Sequence, residues 1–138
     1  MAKFNPAIQI KGLKEIELIE NLTYSRKYNS AYSFNFNFKK TVIGAGDLKR
    51  VFDFSKYLIK IEYSTKEEPK VFILDPAIKE NAKHLFSDKS LCLYKKNKYK
   101  WQNSSSIATE IIPLIIMWVY YYELWLITNV WYGREASH

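Results

Sequence analysis

At 138 residues the chain has the length of one domain, and 48% hydrophobic against 25% charged residues make it globular rather than disordered. A single cysteine excludes an internal disulfide, so no oxidising compartment is required; Cys92, His84 and His138 show no metal-ligand spacing. The net charge of +7 would suit nucleic acid, anionic lipid or an acidic protein surface, yet the lysines are scattered. The one dense run, Lys95–Lys100, has no nucleic-acid motif beside it and reads as a solvated face.

Met1 to Pro6 lacks the apolar run of a signal peptide, so the expected setting is cytoplasmic. Without repeats or linker-like clusters, residues 1–138 are expected to form a single domain. From Pro6 to about Leu22 the pattern is loosely helical: Ile8, Leu13, Ile16 and Ile19 approximate one face, Asn5 is a cap and Pro6 suits a first helical position. Gly12 weakens that helix. Tyr32, Phe34, Phe36 and Phe38 alternate with Ser33, Asn35 and Asn37, which predicts a strand with one buried and one wet face.

Gly44 to Asp47 reads as a turn. Tyr57–Tyr63 is a second strand, broken at Lys66–Pro69, and Val71–Leu74 is a third that stops at Asp75-Pro76. Short connections favour an antiparallel meander. Ser106 then caps a helix running from Ile107 to about Thr128, with Pro113 marking a kink or restart. The order is that of an α+β domain: a β-meander packed against an N-terminal helix and a long C-terminal helical segment.

Between Ile111 and Trp131 the only charge is Glu123, so the segment is long enough to span a bilayer. A carboxylate near its middle costs about 2.5–3.5 kcal/mol on an insertion scale, which favours a helix buried against the sheet. Glu123 then needs a hydrogen-bonding or cationic partner, a lysine or Arg134. Trp118, Trp125 and Trp131 fall seven and six apart, a stripe that serves core packing or a partner groove.

The chemistry centres on His84 to Tyr94. Cys92, flanked by Leu91 and Leu93, taken alone is a small buried hydrophobe. The turn-forming Ser87-Asp88-Lys89-Ser90 instead puts it just past a loop, and the basic run behind it favours the thiolate. His84 is either a base for Cys92 or the incoming amine, or a brace for the loop. Bracing is favoured because no orienting carboxylate stands at clear spacing. Asp88 is either a substrate-side acid or a turn residue.

In order, Leu74-Asp75-Pro76, His84, Leu91-Cys92-Leu93, Trp101, Ser104–Ser106 and the helix from Ile107 resemble the ubiquitin-conjugating enzymes, from about residue 32 to the end. Ile107–Pro113, Trp118, Tyr122–Trp125, Thr128 and Trp131–Gly133 through Glu135 and His138 are similar to one bacterial branch. These are the stand-alone conjugating-like proteins of type II CBASS, the cyclic-oligonucleotide-based antiphage signalling systems.

The resemblance implies a transferase with a Cys92 thioester, supported by His84. It also implies a cGAS-like nucleotidyltransferase partner whose C-terminal glycine is carried and passed to an amine. A scaffold without catalysis and a small membrane-anchored protein are the alternatives, with a nucleic-acid module a weaker third.

Leu85-Phe86 stand where the family has Pro-Asn, so oxyanion support comes from backbone N–H groups, from Asn81, from the partner, or is absent. The chain carries no phosphate loop and no room for an adenylating domain. ATP-driven activation would belong to a separate activating enzyme, or the reaction would run by another mechanism, and no cofactor is implied.

Overall fold

The computed structural model describes residues 6–27, 31–43, 50–52, 54–64, 68–93 and 105–133. Helix α1, Pro6–Lys14, starts on a proline whose missing N–H is no loss in a first turn. It buries Gln9 and Leu13 and places Lys11 and Lys14 in the last turn, where carbonyl ends favour cations. Gly12 has a packing role: a Cβ there would sit 3.3 Å from the Ala108 side chain, so its absence lets α1 approach the C-terminal helical segment.

The helix is shorter than the sequence pattern predicts. Glu15 N–H bonds back to the Lys11 and Gly12 carbonyls, and from Ile19 to Lys27 the chain is strand β1. Pairing with β2, Ala31–Phe38, from Ile19 opposite Phe38 to Lys27 opposite Ala31, overrides the local helical pattern. The register shifts between Glu20 and Thr23, and Asn21 adopts a left-handed φ of 59°. That bulge breaks the alternation that would have announced the strand.

Strands β5, Leu58–Tyr63, and β6, Lys70–Asp75, complete an antiparallel sheet of order β1-β2-β5-β6. Between β2 and β5 lie a two-stranded hairpin, β3 (Thr41–Ile43) with β4 (Arg50–Phe52), and a 3₁₀ turn at Phe54–Lys56. The Gly44–Asp47 turn, Lys66, the Lys95–Lys100 run, Trp101 and Arg134 lie outside the described residues. Phe34, Phe36, Phe38, Ile59 and Ile61 are fully buried on one face, as their period-two spacing requires. Burial of each such side chain contributes about 1.5–3 kcal/mol. The opposite face is wet only in part, because Ser33 is buried and Asn37 Nδ2 donates to the Tyr57 carbonyl at 2.9 Å.

Ser106 caps the C-terminal segment as the sequence suggests, but the first turn, Ile107–Ile111, is a π-helix. Pro113 has no N–H to continue an α ladder at that point, and the Ile112 N–H reaches back five residues to the Ile107 carbonyl. The reciprocal cap stretches with it: Thr109 N–H donates to Ser106 Oγ at 3.4 Å, and Ser106 N–H to Glu110 Oε2 at 2.7 Å. Helix α2, Ile112–Thr128, buries Ile115, Trp118, Val119, Tyr122, Glu123 and Trp125. These join the sheet's aromatic face in one apolar core.

Glu123 Oε1 accepts from the Tyr57 hydroxyl at 2.5 Å and from Lys56 Nζ at 2.8 Å. Its partners therefore come from the 3₁₀ turn and the residue after it. Burial, and then the Glu123 hydrogen bond, push the Tyr57 phenol far above its ordinary value. Glu123→Ala is expected to cost about 1–3 kcal/mol in urea unfolding, because it orphans a buried hydroxyl. Lys56→Met, at a half-exposed site, should stay within about 1 kcal/mol. Equal losses from both variants would contradict this ordering.

Among the described residues, one helical stretch, Ile107–Thr128, is long and apolar enough to cross a membrane by length and composition. Its inward side carries the Glu123 contacts just described, while Met117 and Ile127 on its outer side are exposed.

Candidate functional site

After β6 the chain runs irregularly from Pro76 to Leu93, fastened at intervals. Lys79 N–H donates to the Tyr122 hydroxyl of α2 at 3.1 Å, and Ala82 N–H to the Lys79 carbonyl at 2.9 Å. Leu85 and Leu91 then form an isolated antiparallel bridge around a tight turn. Phe86 N–H donates to the Ser90 carbonyl at 2.9 Å, and Lys89, at φ 72°, donates to the Phe86 carbonyl at 2.8 Å.

Asp88 anchors that turn. Its Oδ1 accepts from Ser90 Oγ at 2.5 Å and from Ser90 N–H at 2.9 Å, and its Oδ2 faces Lys70 Nζ at 3.2 Å. The Ser90 hydroxyl foremost, with the Ser90 amide and Lys70, holds the Asp88 carboxyl below its ordinary range. These contacts belong to a turn residue.

His84 and Cys92 meet through the backbone. Cys92 N–H donates to the His84 carbonyl at 2.8 Å, and the Trp118 indole N–H reaches the same oxygen at 3.1 Å. His84 is buried at a left-handed φ of 60°, a conformation that costs a residue with a Cβ on the order of 1–3 kcal/mol. The two donors on its carbonyl help hold it there. Its ring lies against Trp131, centroids 4.9 Å apart.

The Cys92 environment differs from the sequence expectation. The residue is 5% exposed, and desolvation pushes its thiol up rather than favouring the thiolate. Local sequence shows the turn and the lysines but not the covering side chains. A thiol with a higher pKa folded than unfolded stabilises the fold while both forms are protonated. That contribution is complete below the unfolded value of about 8.5 and fades as pH climbs through the raised folded value. Urea midpoints should therefore fall more steeply above about pH 8.5 for the wild type than for Cys92→Ala. Parallel curves would refute the assignment.

Both amides leading into the sulfur are engaged, since Leu91 N–H bonds to the Val71 carbonyl at 2.8 Å and Cys92 N–H to His84. Asn81, the side-chain candidate for oxyanion support, is exposed. Among the described residues, no three His, Cys, Asp or Glu side chains gather as metal ligands.

One supporting residue escapes the sequence reading, and another has a different place from the one its spacing predicts. Gln9 bridges α1 to the C-terminal segment, Nε2 donating to the Ser105 carbonyl at 2.9 Å and Oε1 accepting from Ile107 N–H at 2.8 Å. A glutamine on the inner face of a helix was the available signal. Trp131 does not continue the α2 stripe: the helix ends at Thr128, and Asn129 at φ 61° turns the chain.

An antiparallel meander, an irregular connection bearing a histidine and then a cysteine at a turn, and a Ser-capped helix packed on the core make a ubiquitin-conjugating-like α+β domain. The chain belongs to the Type II CBASS E2 protein family, whose sequence profile matches residues 20–138. Its role is thus conjugating-enzyme-like within CBASS, a setting that implies a nucleotidyltransferase partner. A search among curated proteins returned no match.

Proposed function

We propose that Cys92 carries the C-terminus of the cGAS-like nucleotidyltransferase as a thioester and passes it to an amine, enhancing antiviral signalling. The thiol gives up its proton as the sulfur attacks an activated C-terminal carbonyl; a C–S bond forms and the bond to the activating group breaks. A lysine amine then attacks the same carbon, a C–N bond forms, the C–S bond breaks, and the thiolate leaves to be reprotonated. His84 is a positioning residue in this scheme, holding the Cys92 amide through its carbonyl.

The observation that carries the proposal is the chain's sole cysteine, set immediately after a stapled turn and tied to His84, in a chain matching this family over residues 20–138. The test is intact mass of the protein purified with its nucleotidyltransferase, with and without a reducing thiol. An added mass equal to the partner less one water, removed by the thiol, is expected; an unmodified chain from an active system would overturn the reading.

The scaffold alternative draws on one observation, the burial of Cys92. A scaffold keeps its full effect on signalling when Cys92 is replaced, whereas a carrier loses it. We further propose that the protein acts in the cytoplasm, because Glu123 has its partners within the fold. Purification without detergent checks this, and carbonate-resistant membrane fractionation would oppose it.

A further inference from the structure

The residues after α2, Asn129 to Gly133, are placed against the cysteine loop. Asn129 N–H caps the Trp125 carbonyl at 2.8 Å, and Val130 N–H bonds to Thr128 Oγ1 at 3.1 Å, so the chain reverses within two residues. Trp131 then turns inward between two exposed neighbours, Val130 at 48% and Tyr132 at 60%. Its indole lies 5.5 Å from Trp118, 6.1 Å from Tyr121 and 4.9 Å from the His84 ring, centroid to centroid.

Gly133 closes the arrangement, since a Cβ there would fall 2.7 Å from the Tyr121 ring and 2.8 Å from Trp131 Nε1. Among the described residues, no backbone hydrogen bond fastens residues 131 to 133. Among the described residues, ring contacts hold them.

The geometry points to a strap. We propose that Val130–Gly133, pinned by Trp131, keeps the His84–Cys92 loop closed, and that lifting the strap is the step that exposes the sulfur. The connection is continuous: Trp131 packs on both His84 and Trp118, Trp118 donates to the His84 carbonyl, and that carbonyl holds the Cys92 amide. A sealed, protonated thiol is chemically quiet. A segment held by side-chain packing can open locally without global unfolding. The inference rests on the reading of Cys92 as an acyl carrier, for which the strap supplies the control.

The test uses the full chain and iodoacetamide. Alkylation of Cys92 is followed from neutral to alkaline pH, alongside urea unfolding. Trp131→Ala is expected to react about tenfold or more faster than its change in global stability accounts for, as local opening would give, with the pH midpoint of the reaction lowered. Gly133→Ala, which pushes on Trp131 from the other side, should act in the same direction.

Trp131→Phe keeps a ring on His84 and should restore most of the wild-type rate. Trp125→Phe, whose ring faces Tyr122 at 5.9 Å, should change the rate only as far as stability dictates. Acceleration no greater than global unfolding explains, or an unmoved pH midpoint, would overturn the strap. Loss of the acyl-carrier reading would show instead as absence of the partner adduct, which alkylation does not measure.

Discussion

Cys92→Ala is expected to abolish the thiol-labile adduct with the nucleotidyltransferase outright while leaving a folded protein. The chain has one cysteine, so no second thiol can take over. Removing a buried sulfur of roughly methyl size costs about 1 kcal/mol, small against the 5–15 kcal/mol or so of a typical domain. The functional loss should therefore be complete and the stability loss minor, readable from intact mass and a urea curve on the same sample. A Cys92→Ala protein that still gives a reductant-sensitive conjugate would end the proposal. One that unfolds would show that the residue serves mainly as packing.

Gln9→Ala should be the most destabilising single change described. The side chain is 4% exposed and supplies the partner for the Ile107 amide and for the Ser105 carbonyl. Both those residues are buried. Losing the Gln9 bonds to two buried backbone groups costs about 1–3 kcal/mol each, so a loss of about 2–5 kcal/mol and a melting midpoint lower by about 10 °C or more are expected. Gln9→Glu adds a diagnostic. At neutral pH its carboxylate still accepts from Ile107 but repels the Ser105 carbonyl, and protonation restores a donor. That variant should recover stability as pH falls toward about 4. A midpoint within about 0.5 kcal/mol of wild type for Gln9→Ala would dismiss the clamp.

What could be read in the sequence was what local chemistry decides. Phe34, Phe36 and Phe38, with Ile59 and Ile61, alternate because one sheet face is buried, and β2, β5 and β6 follow from them. Ser106 announced its cap. Strand β1 was missed because its outer half is exposed and a bulge at Asn21 spoils the alternation.

The six-residue spacing to Trp125 predicts a helical place for Trp131, but it crosses Asn129, a residue type that tolerates the left-handed turn ending the helix. The Glu123 partners, Lys56 and Tyr57, are more than sixty residues away in the chain, and only folding brings them in. For Cys92 the place in the loop was legible, but its burial was not, since the surroundings come from other elements.

Among the described strands, β1 forms one edge of the four-stranded sheet. From Thr23 to Lys27 it is exposed and ends in Arg26 and Lys27, and Asn21 and Leu22 stand against Phe36 alone, out of step with the regular ladder. A second copy sliding alongside would meet a kinked template and two cations facing their likes. That border of the sheet is therefore a poor template for a further strand.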